Sequence, residues 1–477
     1  MKVLLVRPHL YLKIAERFHA FLRLEPLDLE LVAAGIGEEH DIRILDMEVV
    51  RHPVKAFEKM VREFAPDMIG FGGYSNQARH VKQLAQRARE LRPEALIVVG
   101  GVHATIVPSD FKLPGIVDAV VRGDGVSASQ ELVAQWTATQ TLPESEFILP
   151  VRSGTFDAMA ALDPPPLDSR CIATRPRRDL VDASKYYCVV GGAEGARLKT
   201  LFPQVASMRT SVGCPHRCSF CVVHFLANGK YLQRTPEDVV DEIAEIEQDY
   251  IYFVDDEMFI NAKRATEIGR LLKERGIRKK YISWARADTI CAHRDMFELW
   301  QSIGLETLYV GLESLDESYL ADYNKGVDAS ENRRAVEILR ELKIGLHAAF
   351  IVNPDFEMED FLALRKTIDF VSPAEITFTV FSPSPGTELF NQHRDGFICE
   401  DPYLFYDCMH TIMPTKLALN RFYRYFSLLY LFAFRRNPWR VKKIKVPLRD
   451  FARLMANGVA CGATLRNIYK DYDKALW

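Results

Sequence analysis

From Lys2 to about Trp136, short apolar runs rich in β-branched residues alternate with amphipathic stretches. Val3–Val6, Ile42–Leu45, Met68–Phe71, Leu96–Val99 and Ala119–Val121 read as strands, and the rhythm predicts a parallel sheet wound on both sides by helices. Periodicity fades between Thr137 and Arg178. There Asp163-Pro164-Pro165-Pro166 forms a stiff stretch that disfavours both helix and central strand. From Ser207 the alternation resumes, with strands predicted at Met208–Ser211, Tyr250–Val254, Tyr281–Trp284, Thr307–Val310, Leu346–Ile351 and Glu375–Phe381. Helices such as Pro236–Ile246 and Asn332–Leu342 separate them. Six strand–helix steps predict a partial α/β barrel, with function at the C-terminal strand ends. The chain therefore divides into a doubly wound α/β domain (1–140), a linker (141–206), a barrel (207–390) and a helical C-terminal region (391–477).

The length of 477 residues, 48% of them hydrophobic, agrees with two or three folded domains. A net charge of −3 gives no overall basic field, so nucleic acid is not the expected partner. The opening run Met1–Pro8 meets Arg7 and Pro8 too soon to serve as a signal-peptide core, which predicts a cytoplasmic location. Nine cysteines is an odd number for a disulfide framework, and clustered cysteines in a reducing compartment point to metal or catalysis.

Three of them form a cluster. Cys214-Pro215-His216-Arg217-Cys218-Ser219-Phe220-Cys221 follows a predicted strand, with Gly213 allowing a tight turn before it. Three thiolates so spaced can wrap one [4Fe–4S] cube and leave one iron without a protein ligand. A zinc knuckle using His216 or His224 is the alternative, but no second pair of ligands follows at zinc-finger spacing.

On this triad the chain resembles the radical S-adenosylmethionine (SAM) superfamily, over about Ser207 to Phe390. The resemblance implies that SAM chelates the open iron and is cleaved to a 5′-deoxyadenosyl radical. It also implies SAM contacts. Phe220 matches the aromatic before the third cysteine, and Asp255 or Asp256 in Phe253-Val254-Asp255-Asp256-Glu257 would take the SAM ammonium, unless either is a plain helix cap. Arg286 in Trp284-Ala285-Arg286-Ala287-Asp288 would pair with the SAM carboxylate, surface ion pairing being the alternative. Glu313 and Ser314, in Gly311-Leu312-Glu313-Ser314 echoed by Asn324-Lys325-Gly326, would meet ribose or amino groups. Phe350-Ile351-Val352-Asn353-Pro354 departs from the family's glycine-rich turn, while Ser384-Pro385-Gly386-Thr387 resembles its closing turn.

In the first domain, Gly100-Gly101-Val102-His103-Ala104-Thr105 follows a strand, and Gly72-Gly73-Tyr74-Ser75-Asn76 lines the neighbouring strand end. Such a crevice binds ligands in doubly wound sheets, although a GG turn alone is equally a structural turn. With the triad behind it, the domain resembles the flavodoxin-like cobalamin-binding domain of class B radical SAM enzymes. The implied cobalamin contacts are Tyr74, Ser75, Asn76, Gly100, Gly101, His103, Thr105 and Gly123. Arg122-Gly123-Asp124-Gly125 resembles a turn of that class, with Val126 where an acid is common; the DxHxxG motif through which some cobalamin proteins supply a histidine to cobalt is absent, so His103 is not expected to ligate cobalt. The resemblance implies a methyltransferase in which methylcobalamin donates to a substrate carbon radical. It also implies a low-potential donor such as flavodoxin or ferredoxin.

Between Arg421 and Arg449 there are nine basic residues and no acid, interleaved with aromatics such as Phe422, Tyr423, Phe426 and Tyr430. The apolar core Leu428–Phe434 is far short of the roughly 20 residues that span a bilayer. Two readings stand: a helix lying at a membrane surface, or one packing its aromatic face on the barrel. Within the class, the overall pattern is similar to hopanoid C-3 methylases, which act on a lipid. The rivals are the methylases and oxidative cyclases of bacteriochlorophyll (tetrapyrrole) synthesis.

Overall fold

The structure, a computed structural model, describes residues 1–152, 163–167, 169–190, 199–443 and 447–474. Two six-stranded sheets organise it. The first contains β1 (Lys2–Arg7), β2 (Asp41–Asp46), β3 (Met68–Gly72), β4 (Leu96–Gly100), β5 (Ala119–Val121) and β6 (Ile148–Pro150) in the order β2-β1-β3-β4-β5-β6. This is the flavodoxin-like order, with its switch point between β1 and β3. Val3, Leu4, Val6, Ile69 and Ile97 are wholly buried. Helices therefore cover both faces, and each such side chain contributes about 1.5–3 kcal/mol.

β6 lies within the stretch read as linker and pairs antiparallel with β5. From the same stretch Tyr187–Cys188 pairs antiparallel with Leu22–Arg23 of the first domain. The proline run also packs: Pro164 and Pro165 are buried, and Pro165 lies where a Cβ on Gly123 (φ +64°) would be, 2.6 Å from its Cγ.

The second sheet contains β7 (Val205–Met208), β8 (Tyr250–Phe253), β9 (Lys280–Ala285), β10 (Leu305–Glu313), β11 (Gly345–Val352) and β12 (Glu375–Val380), all parallel and in sequential order. β7 and β12 do not pair, so the barrel has an open seam. The first barrel strand differs from the expected Met208–Ser211. It ends at Met208, and Ser211–Val212 turns away to pair antiparallel with Leu232–Gln233. The Asp255 carboxylate draws the turn by accepting the Thr210 N–H at 3.0 Å.

Two packed helices, Leu419–Lys443 and Leu448–Arg466, lie beside the seam, the second touching helix Lys13–Phe18 of the first domain. Phe422, Tyr423 and Phe426 are fully buried, and the Tyr430 hydroxyl donates to the Phe378 carbonyl at 2.6 Å. The aromatic stripe thus packs on the barrel, the second of the two readings. Side chains of 434–446, with Arg435, Arg436, Arg440, Lys442, Lys443 and Lys445, lie outside the described residues. Among the described residues, no helix is long and apolar enough to cross a membrane.

A buried ionic network joins the parts. Arg178, from the former linker, pairs with Glu25 of the first domain and, at 2.9 Å, with Glu242 of the barrel. Its Nη2 also donates to the Ser207 carbonyl at 2.7 Å, and the Ser207 N–H donates to Glu25.

Candidate active site

Cys214, Cys218 and Cys221 occupy the loop beyond β7, half-buried and free. Gly213 starts the loop at φ +88°, where a Cβ would fall 2.2 Å from the Lys230 carbonyl oxygen. The loop is fastened from three sides. Gly213 N–H donates to Asp256 Oδ2 at 2.8 Å; Ser219 N–H donates to the Tyr323 carbonyl and Asn324 Nδ2 to the Arg217 carbonyl; Ser384 Oγ donates to the Phe220 carbonyl at 2.6 Å. The segments carrying Asn324 and Ser384 therefore hold the cysteine loop as well as marking strand ends.

Burial raises the Cys214 thiol and pushes the Cys221 thiol up to about 11, so positive charge beside these two sulfurs favours their ionisation. Iron supplies that charge. Among the described residues no three His, Cys, Asp or Glu side chains converge on a single-ion position. A cubane does not ask for convergence, since each thiolate takes a different iron. The donor set fits a cluster.

Around the loop stand the residues expected to meet SAM. Arg286 is buried, with Nη1 3.8 Å from Cys218 Sγ, Nη2 donating to the Lys325 carbonyl at 2.6 Å and a two-pronged contact to Asp288. Glu313 holds a left-handed backbone (φ +57°) and accepts from Lys325 Nζ at 2.6 Å. The Phe220 ring meets Tyr323 edge-on at 5.5 Å, and Tyr323 donates to Asn353 at 3.0 Å. Asn353 belongs to the turn that departs from the family pattern, so that turn still reaches the loop. Ser314 Oγ accepts from the Asp316 N–H, a turn contact.

The two neighbouring acids separate in role. Asp255 is buried, its oxygens taken by Thr210 and Ser211, so it braces the loop rather than facing a ligand. Asp256 remains accessible beside Gly213.

Of the residues expected at cobalamin, Tyr74, Ser75 and Asn76 border a large cavity between the two domains. Asn76 Oδ1 is buried without a hydrogen-bond partner, and Tyr74 is 63% exposed, as a waiting ligand wall requires. Gly100, Gly101, His103, Thr105 and Gly123 are not among the cavity's lining residues, although Gly101 and Gly123 are exposed. A Cβ on Gly101 (φ +95°) would meet Gly73 N at 2.7 Å, so loop packing by itself requires glycine here. Thr105 Oγ1 donates to Gly101 O and accepts from Gly123 N–H, both at 2.9 Å. His103 is buried, its Nδ1 3.1 Å from Ser75 Oγ and its Nε2 3.0 Å from Asp110, which leaves no ring nitrogen for cobalt.

The cavity, about 1500 Å³, runs from Tyr74 and Asn76 into the barrel lumen. Sequence reading missed its lumen wall, because the wall depends on strand register. Trp284, Tyr309, His347 and Glu375 are register partners across β9 to β12. Trp284 and Tyr309 pack at 4.5 Å, Tyr309 stacks on His347 at 3.7 Å, and His347 bonds Glu375 at 3.0 Å and Thr377 at 2.7 Å. Aromatics at alternate positions of successive strands were the available signal. Elsewhere on the wall, burial drives Glu48 up to about 7, against the pull of Arg7, and His19 down to about 4. Both shifts make the wall more nearly neutral.

A flavodoxin-like domain facing an open six-stranded barrel, with a CxxxCxxC loop at the strand ends between them, defines an enzyme that unites radical SAM chemistry with a corrinoid. The Radical SAM superfamily matches residues 208–368 and the B12 binding domain residues 19–133. The chain is 31% identical over 429 residues to the hopanoid C-3 methylase of Methylococcus capsulatus, covering 89% of this chain and 78% of that one. It is 26% identical to the anaerobic magnesium-protoporphyrin IX monomethyl ester cyclase of Cereibacter sphaeroides, over 86% and 67% of the two chains. Its fold matches the radical SAM methyltransferase TsrM of Kitasatospora setae, solved with cobalamin and a [4Fe–4S] cluster, with TM-score 0.63 over 99% of both chains at 15% identity. The chain belongs to the cobalamin-binding radical SAM enzymes. It is a methyltransferase of that family, with a [4Fe–4S] cluster, SAM and cobalamin as cofactors.

Proposed function

We propose that the enzyme methylates an unactivated carbon of a hydrophobic, ring-fused substrate, C-3 of a hopanoid lipid being the best match. The observation that carries this reading is the cavity of about 1500 Å³, with its Trp284–Tyr309 shelf and a lining that is mostly apolar. Likeness to the hopanoid C-3 methylase supports the substrate assignment. When bound, the cluster with SAM supplies a 5′-deoxyadenosyl radical for hydrogen abstraction, and cobalamin supplies the methyl group.

The residues divide the work. Cys214, Cys218 and Cys221 hold the cluster. Arg286 and Asp256 take the charged ends of SAM, beside Phe220, Glu313 and Ser314. Tyr74, Ser75 and Asn76 face the corrin from the first domain. The Trp284 ring presents a flat apolar surface that orients fused rings and keeps water from the abstracted hydrogen. A flavodoxin or ferredoxin delivers the electron.

The test is anaerobic incubation of the reconstituted enzyme with isotopically labelled methyl-SAM and a total lipid extract, followed by mass spectrometry. Label in a hopanoid is expected. Label in tetrapyrroles instead, or tetrapyrrole oxidation without label, overturns the hopanoid assignment.

A further inference from the structure

Along helix Leu419–Lys443 the exposed positions Arg421, Arg424, Leu428 and Leu431 recur at helical spacing on one face. Along helix Leu448–Arg466 the exposed positions include Ala452, Ala456, Val459 and Ala463 on one face, ending in Arg466, with Leu448, Arg449 and Arg453 also exposed near its start. The helices run antiparallel: Asn420 and Arg424 at the start of one share a hollow with Ala463 and Arg466 at the end of the other. Arg424 therefore lies beside Arg466, and the apolar stretches of the two helices lie side by side. Leu428 is 46% exposed and Val459 67%, unusual for apolar side chains on adjacent helices. Arg424 and Arg466 have no ion-pair partner among the described residues.

This surface is continuous with the cavity. Leu428, Leu431 and Val459 border it, as do Arg424 and Arg466, next to β12 at the open seam.

We propose that the paired faces of these two helices dock on an anionic bilayer surface and open the barrel seam to lipid. Leu428, Leu431, Ala456 and Val459 enter the acyl boundary, while Arg421, Arg424 and Arg466 meet anionic headgroups. The buried aromatics Phe422, Tyr423 and Phe426 anchor the hairpin to the barrel from behind and do not touch lipid. The purpose of the docking rests on the hydrophobic-substrate reading above; the docking itself does not.

The test is sedimentation of the full-length reconstituted enzyme with vesicles of phosphatidylcholine alone, or of phosphatidylcholine mixed with phosphatidylglycerol. Binding to the anionic vesicles, weakened by added salt, is expected. The Leu428→Glu/Val459→Glu double variant loses the bound fraction, and Arg424→Glu/Arg466→Glu loses the preference for anionic vesicles. Cobalamin content and thermal midpoint check that each variant is folded. Should the double variants not fold, Ala456→Glu, exposed on the same stripe and away from the cavity wall, carries the test. Wild-type enzyme that ignores anionic vesicles, or folded Ala456→Glu that binds as wild type, overturns the proposal. Vesicle binding without methylation of any lipid overturns the substrate reading alone, and methylation of detergent-dispersed lipid without vesicle binding overturns the docking alone.

Discussion

Arg286 reaches Cys218 across the barrel mouth, its Nη1 3.8 Å from the sulfur while Nη2 donates to the Lys325 carbonyl at 2.6 Å. One planar side chain thus touches the cysteine loop and the segment that fastens it. Arg286→Lys keeps the charge and loses the fork. SAM affinity is expected to fall on the order of tenfold to a hundredfold, matching the ~1.5–3 kcal/mol of a hydrogen bond to a charged group. Equilibrium SAM binding and the rate of 5′-deoxyadenosine release measure it.

Cys218→Ala removes one of three thiolates from a loop whose backbone is held by Asp256, Tyr323 and Ser384. Iron content and 5′-deoxyadenosine formation with dithionite are expected to collapse. Cobalamin binding, which draws on the first domain, is expected to persist in visible absorption spectra.

Trp284→Ala takes away the shelf that packs on Tyr309 at 4.5 Å. Radical formation sits elsewhere. The ratio of methylated product to 5′-deoxyadenosine is expected to drop several-fold while SAM cleavage continues, and parallel quantification of both reads it.

Arg178→Ala leaves Glu25 buried without its cation, while Glu242 keeps Arg234. Removing one partner from a buried ionic network costs ~3–5 kcal/mol. Denaturant unfolding is expected to show that loss, and Glu25→Gln in the same chain to recover part of it.

His410 gives a pH signature. Burial alone lowers its pKa, but Asp407 at 2.8 Å and Asp471 at 3.5 Å outweigh it and hold the imidazole at about 9, above the ordinary 6.5. The Tyr472 and Phe405 rings complete its surroundings. Because the folded pKa is raised, the contribution is fully present below about 6.5 and is lost as pH rises through about 9. The difference is on the order of 3 kcal/mol. Guanidinium unfolding followed across this window is expected to slope downward in wild type and to flatten in His410→Gln.

Much of the architecture was legible because parallel strands buried on both faces write themselves as apolar runs. Lys2–Arg7 and Leu96–Gly100 fall within a residue of their sequence reading. Ile148–Pro150 escaped because a three-residue edge strand ending in proline carries almost no pattern. The cysteine loop was legible because its chemistry is local. Its fastenings were partly so, since Asn324 and Ser384 sit in motifs, but the reach of Tyr323 to Asn353 belongs to the fold. His103 was legible only in part: the missing DxHxxG motif already spoke against a cobalt ligand, but the packing that gives both its nitrogens to Ser75 and Asp110 belongs to the fold. The Trp284–Glu375 wall and the Arg178 network join residues distant in the chain, the first through strand register and the second through tertiary packing.

The unpaired edges of β7 and β12 place two demands on separate stretches of the chain. Radical initiation depends on strand-end loops that tolerate little displacement, while the boundary of the substrate chamber is finished by helices added after the last strand. Repertoire can therefore drift by remodelling an appendix, with the ignition machinery inherited intact.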